Sequence, residues 1–222
     1  MFKISVSEEL KSRCPEFCGM AIEARGLVNT PYSAELWREI DAFTQELRAT
    51  STPDDCKEQY AIAATRAAYR RCGKDPSRYR PSSEALRRRL LRGLDLYRID
   101  TLVDLVNLAS LVSGFSIGGF DADLIEGTDI VLGIGREGEP YEGIGRGPLN
   151  IDGLPVYRDA KGGIGTPTSD NERTKMSLNT THTLMIVNGY SGTSGLQDTI
   201  DLLDRLMTEY AGGKGENTTY VF

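Results

Sequence analysis

The chain has 222 residues, with 32 acidic and 26 basic side chains, a net charge of −6 and 39% hydrophobic content. That length leaves room for a sizeable core, and the composition is that of a globular protein rather than a disordered or fibrous one. The acidic balance excludes general attraction to nucleic acid, so any such contact has to come from a local patch.

The opening stretch, Met1 to Arg13, lacks the apolar run of a signal peptide. No segment approaches the roughly 20 apolar residues of a membrane helix. A cytoplasmic location and no membrane contact are expected. Cys14, Cys18, Cys56 and Cys72 lack the C-x-x-C spacing of a zinc site. They read as free thiols, with a transient Cys14–Cys18 link as the alternative. Neither a metal nor a cofactor is expected.

Taken in chain order, Phe2, Ile4 and Val6 alternate as in a strand, and 20–28 reads as a second. Leu36, Trp37, Ile40, Phe43 and Leu47 share one helical face. Asp54 is placed to cap a second helix running to Cys72 and stopped by Gly73. A third covers 82–92 before Gly93. A fourth covers 101–113, between the cap Asp100 and the stop Gly114. From 117 to 165 glycine is frequent, with short strands at 129–134 and 154–158. Another strand fits 183–187. Leu196, Ile200, Leu203, Met207 and Tyr210 mark a final amphipathic helix, and 218–222 a last strand. Strands and helices are grouped rather than alternated, which favours an α+β fold read as one domain over 1–222.

Several motifs carry chemistry only in the right context. Gly133, Gly135 and Gly138 match G-x-G-x-x-G, but the Glu-Pro-Tyr-Glu-Gly sequence after them cannot open the helix that a dinucleotide site needs. Turns and bulges are the better reading. Between Arg66 and Arg98 lie ten arginines, with Lys74, Tyr69 and Tyr79 among them. They form either a solvated face paired with acids or a phosphate-contacting patch. Helix 101–113 is apolar nearly all round and has to be buried. Its stripe of Asp100, Asp104 and Asn107 then needs partners, or a polar cavity to face. The 166–175 stretch, dense in hydroxyls and charges, is either a self-bonded turn network or a ligand-facing loop. His182, the one histidine, reads as a strand-edge side chain, and a Ser–His–Asp triad stays formally open.

Three stretches together resemble the B3/B4 editing domain of the phenylalanyl-tRNA synthetase β chain. These are Tyr79-Arg-Pro-Ser-Ser-Glu-Ala-Leu-Arg-Arg-Arg-Leu-Leu, then Arg98-Ile-Asp-Thr-Leu-Val-Asp-Leu-Val-Asn-Leu continuing through Ser116-Ile-Gly-Gly-Phe-Asp-Ala-Asp, and Pro167-Thr-Ser-Asp-Asn-Glu-Arg-Thr. The likeness spans about 78–190. It implies an α+β fold with β-sandwich-like sheets flanked by helices, and a site that hydrolyses a mischarged aminoacyl ester with a positioned water, needing neither metal nor nucleophilic side chain. By that resemblance the partners are tRNA or aminoacyl-tRNA met in trans, or a small amino-acid-like ligand. A Thr-Asn pair of the bacterial family falls on Val106 and Asn107, a histidine on Gly118 and a carboxylate on Lys175. A glutamate that would meet a tyrosine hydroxyl is therefore a cation here. Asn107, Gly118, Gly119, Thr168, Asp170, Arg173 and Lys175 are the pocket candidates. Arg80, Arg87, Arg88 and Arg92 are the candidates for phosphate contact. No catalytic side chain is assigned. The alternative function is a non-catalytic module binding a small molecule or a protein through the same pocket.

Overall fold

The computed structural model describes residues 1–215 and 217–222. Its elements run β1 Lys3–Val6, α1 Glu8–Arg13, β2 Cys18–Arg25, α2 Ala34–Thr50, α3 Tyr60–Arg71, α4 Ser82–Leu91, α5 Thr101–Ser113 and β3 Ile117–Asp121. There follow β4 Asp129–Ile134, β5 Glu142–Gly143, β6 Gly147–Pro148, β7 Pro155–Arg158, β8 Gly163–Gly165, β9 His182–Gly189, α6 Leu196–Tyr210 and β10 Thr218–Val221.

Two four-stranded sheets carry the fold, ordered β1-β4-β7-β8 and β10-β2-β9-β3. The second is antiparallel throughout, and the first has one parallel pair, β1 with β4. The second sheet is the middle layer. Every residue of β9 is buried, because its two faces serve different cores. Met185 and Val187 join the helical core with Trp37, Leu105 and Leu203. Leu184 and Ile186 join Ile130, Leu132 and Phe120 between the sheets. An eight-residue run without polar alternation follows directly from burial on both faces. The expectation of stacked sheets flanked by helices holds.

Local signals set most helix ends. Asp100 accepts from the Val103 amide at 2.9 Å and starts α5, and Gly114 ends it at φ +81°, a conformation that favours glycine. The cap expected at Asp54 lies elsewhere. Cys56 is buried, so the chain first makes a 3₁₀ turn over Asp55–Lys57. Gln59 then caps α3, accepting from the Ile62 amide at 3.0 Å. Its amide nitrogen also donates to the Ser113 carbonyl at 2.9 Å, tying the start of α3 to the end of α5. All four cysteines are free, with Cys14, Cys56 and Cys72 buried and Cys18 half-buried. After Gly135 no helix follows the glycine motif. A side chain there would meet the Ile151 carbonyl at 2.0 Å, so close backbone packing requires that glycine. No helix among the described residues is long and apolar enough to cross a membrane.

Candidate functional site

β3 is the edge strand of the middle sheet, and α5 packs beside it. The segment 165–176 returns along this edge, bridging Phe120 to Lys175 in antiparallel fashion. Between them lies a cleft of about 220 Å³, below the roughly 300–1,000 Å³ of drug-sized ligand sites. That space suits a molecule of about the size of one amino acid. Val103, Val106, Asn107 and Ser110 face it from α5, Ile117 and Gly119 from β3, and Ser82 and Leu86 from α4. Ile99, Ile144, Thr166, Ser169, Asp170, Lys175 and Met176 complete the lining.

The polar groups differ in how far they are already satisfied. Thr166 Oγ1 accepts from the amides of Thr168 and Ser169 at 3.2 and 3.1 Å, and donates to the Ser169 carbonyl at 3.0 Å. Thr168 exchanges a 2.9 Å hydrogen bond with the buried Tyr69 hydroxyl. Asn171 caps the turn at Arg173. The loop is therefore self-bonded, and this fixed network presents Ser169, Asp170 and Lys175 to the cleft. Asp170 Oδ2 accepts from the Gly119 amide at 3.0 Å, and no other described group donates to this carboxylate. Burial pushes its pKa up to about 7, opposed by that amide. Lys175 is ion-paired with Glu172 and half exposed. No described residue hydrogen-bonds the Asn107 amide, so its donors and acceptor are open to a ligand.

Of the seven pocket candidates, Asn107, Gly119, Asp170 and Lys175 line the cleft. Thr168 and Arg173 do not. Arg173 donates to Asp159 at 2.8 Å and to the Leu124 carbonyl at 3.2 Å. Gly118 serves packing: a Cβ there would sit 2.8 Å from the Phe120 ring. Asp100 and Asp104, on the same α5 stripe as Asn107, are structural. Asp104 accepts from the Trp37 indole at 2.7 Å, and desolvation raises its pKa to about 6. Leu86, Ile144 and Met176, which close the cleft, carry no sequence signal, because their segments meet only in the fold.

The arginines divide sharply. Glu84 is fully buried and accepts from Arg66 at 2.8 Å and Arg88 at 2.9 Å. Arg87 donates twice to the Leu111 carbonyl, at 3.1 and 2.8 Å. Arg80 and Arg92 are exposed. Tyr69 is buried, and Tyr79 lies under the Lys74 ammonium at 3.8 Å.

Hydrolytic machinery of the Ser–His type is not assembled around the cleft. His182 is buried with its ring nitrogens 2.7 Å from Asp123 and 3.0 Å from Glu23, outside the lining. Gly114-Phe-Ser-Ile-Gly118 has the G-x-S-x-G spacing, but it runs from helix to strand, the reverse of a nucleophile elbow. Ser116 within it is 1% exposed and hydrogen-bonds Ser83. Among the described residues no group of three or more His, Cys, Asp or Glu is arranged to hold a metal. A larger groove of about 550 Å³ runs beside Gly133 and Arg158. Arg158 is held by Glu139 through two 2.7 Å bonds as a neutral pair, and Arg136, Glu137 and Glu9 add charges of both signs to the lining.

Fold and site together define an α+β protein with two stacked sheets, a helical layer and a small cleft at the edge of the middle sheet. The chain belongs to the B3/4 domain family, whose model matches residues 64–201. Among solved structures, it is similar to an N-terminal fragment of the phenylalanyl-tRNA synthetase β-subunit from Pyrococcus horikoshii, with 12% identity and a TM-score of 0.52. The match covers 98% of this chain and 53% of that one, so this chain spans about half the fragment's length. At that identity the likeness is one of fold. Comparison with curated proteins finds no match.

Proposed function

We propose that the chain acts as one B3/4-type unit whose cleft binds the aminoacyl group of an aminoacyl ester, and that it hydrolyses mischarged aminoacyl-tRNA offered in trans. The observation that carries this reading is a cleft with apolar walls and one poorly satisfied carboxylate, Asp170, beside the open amide of Asn107. Apolar walls of Val103, Val106, Ile117 and Met176 suit an amino-acid side chain. Asp170 is the group to meet an α-ammonium, and Asn107 to orient the ester carbonyl. Charge pairing with Glu172 leaves Lys175 at the rim without net charge. Water is the nucleophile in this scheme, assisted by the tRNA's own terminal ribose, as the family resemblance implies.

A deacylation screen of mischarged tRNAs with the purified chain, alongside Asn107→Ala and Lys175→Ala, tests the proposal. Turnover of at least one ester, reduced tenfold or more by Asn107→Ala, is the expected result. No turnover on any ester refutes hydrolysis.

A second reading is favoured by the arginines. Arg66, Arg87 and Arg88 already hold the fold together. A non-catalytic binder of a small amino-acid-like molecule would need no RNA contact. Affinity that is indifferent to salt distinguishes it, since phosphate contacts make binding fall steeply as salt rises.

A further inference from the structure

The segment 93–99 between α4 and α5 exposes an unusual set of side chains. Leu94 is 51% open, Tyr97 67% and Ile99 54%, and Tyr32 beside them is 46% open. Yet this segment is held firmly. Arg89 donates to the Asp95 carbonyl at 2.6 Å, and its guanidinium lies 4.0 Å from the centre of the Tyr97 ring. Arg48 bonds the Leu90 carbonyl at 2.9 Å and the Asp95 carboxylate at 3.2 Å. Arg98 covers Tyr32 at 5.1 Å and Trp37 at 4.9 Å. Arg92 stands exposed at the end of α4. Against these four cations stand two acids, Asp95, paired with Arg48, and the buried Asp104, which accepts from the Ile99 amide at 3.3 Å, in a chain whose net charge is −6. The patch is therefore both aromatic and cationic, which matches a nucleic acid better than an acid-free apolar partner.

Its position matters as much. Ile99 lines the cleft, and so does Leu86. Arg89 follows Leu86 at i+3 on α4, and Tyr97 precedes Ile99 by two residues, so each member of the stack is a near neighbour along the chain of a residue that lines the cleft, although neither lines it itself. In an aminoacyl-RNA the amino acid is esterified to the ribose of the terminal nucleotide. A base attached to that ribose, with the aminoacyl group in the cleft, has to lie near the mouth.

We propose that Tyr97, backed by Arg89, stacks the base of the 3′-terminal nucleotide of an RNA, with Arg92 and Arg98 meeting the adjoining phosphates. This rests on the aminoacyl-ester reading of the cleft. The guanidinium behind Tyr97 fixes the ring before binding, so little ordering remains when a base arrives on its open face.

The test uses the full chain and a fluorescein-labelled single-stranded RNA of six nucleotides, read by anisotropy. Calorimetry with an aliphatic amino-acid amide serves as a probe of the cleft alone. Tyr97 is exposed, so its variants are expected to fold. Tyr97→Ala is expected to weaken RNA binding about tenfold, and Tyr97→Phe to keep it within about twofold. Arg92→Ala is expected to lower the salt slope by about one. None of the three should change amide binding. RNA affinity unaltered by Tyr97→Ala, or absent from the parent chain, overturns the proposal while amide binding leaves the cleft reading intact. Tyr97-dependent RNA binding without amide binding removes the aminoacyl reading and, with it, the assignment of the stacked base to the 3′-terminal nucleotide.

Discussion

Replacing Glu84 by glutamine tests the claim that Arg66 and Arg88 serve the fold of this acidic protein. Glu84 has no solvent exposure, and it is the common partner of Arg66 on α3 and Arg88 on α4. Glutamine keeps the shape but removes the charge, and turns an amide NH₂ towards a guanidinium. Breaking a buried pair from one side costs about 3–5 kcal/mol, because the remaining charge stays buried without compensation. The two arginine side chains keep 11% and 16% exposure, and Arg66 retains a 3.2 Å bond to the Pro76 carbonyl. The low end, about 3 kcal/mol, is therefore expected. For a chain of this size that corresponds to a fall in Tm of roughly 6–12 °C. Urea unfolding and thermal melts measure both, with the exposed Arg80→Ala as a control expected within about 0.5 kcal/mol of the parent. A loss under about 1 kcal/mol for Glu84→Gln would refute the reasoning. It would mean that both guanidiniums have other partners and are free to meet a ligand.

Burial lifts Asp170 to a pKa of about 7 in the folded chain, against about 3.9 when unfolded. The native state holds a proton that the unfolded state has released, so this group's contribution is full below about pH 4 and is lost as pH rises to about 7. Asp170→Asn lacks that loss, and its stability relative to the parent should grow by up to a few kcal/mol across this window in paired urea titrations; a flat difference would contradict it. Trp37 is the sole tryptophan and donates to Asp104, whose pKa is raised to about 6. Its emission should therefore step near pH 6, and Asp104→Asn should abolish the step. A Cβ at Gly165 would meet the Phe120 ring at 2.5 Å and Asp170 Oδ1 at 2.9 Å, so Gly165→Ala should cost about 1–3 kcal/mol in denaturant melts. At Gly119 the nearest atom is the flexible Met176 methyl at 2.9 Å. Gly119→Ala should accordingly cost less than about 1 kcal/mol yet weaken amide binding in calorimetry, and unchanged binding would take Gly119 out of the site.

Helices were legible where periodicity and caps agreed. α5 begins and ends where Asp100 and Gly114 predict, and α6 follows its apolar repeat. α1 escaped notice because six residues with one buried side chain, Leu10, give no period. β3 was hidden for the opposite reason. All five residues of Ile-Gly-Gly-Phe-Asp are buried, so nothing alternates, and two glycines weaken its strand character. In the site, the polar stripe on α5 pointed to Asn107 as a cavity-facing group. It could not separate Asn107 from Asp104, since only the tertiary contact with Trp37 does that. The hydroxyl-rich loop invited two readings, and both describe it: its hydroxyls bond one another, and the resulting rigid turn carries Asp170 to the cleft.

The arginine-rich stretch shows why composition misleads about partners. Charge density in sequence does not specify direction in space. Glu84 draws Arg66 and Arg88 inward, and the Leu111 carbonyl takes Arg87, so three cations of the run are directed into the protein. Of the remaining positive charge, Arg89 and Arg98 lie over the exposed Tyr97 and Tyr32, while Lys74 and Arg78 lie over the half-buried Tyr79. At the cleft the same logic runs at smaller scale. Lys175 stands where the family resemblance places a carboxylate, yet its pairing with Glu172 cancels the added charge. The charge left unbalanced inside is that of Asp170, supplied by a neighbouring turn. On the proposed reading, such a site takes a cation in an apolar setting, whereas a glutamate at the rim would take a hydroxyl. The difference between them lies in which carboxylate the loop leaves unpaired.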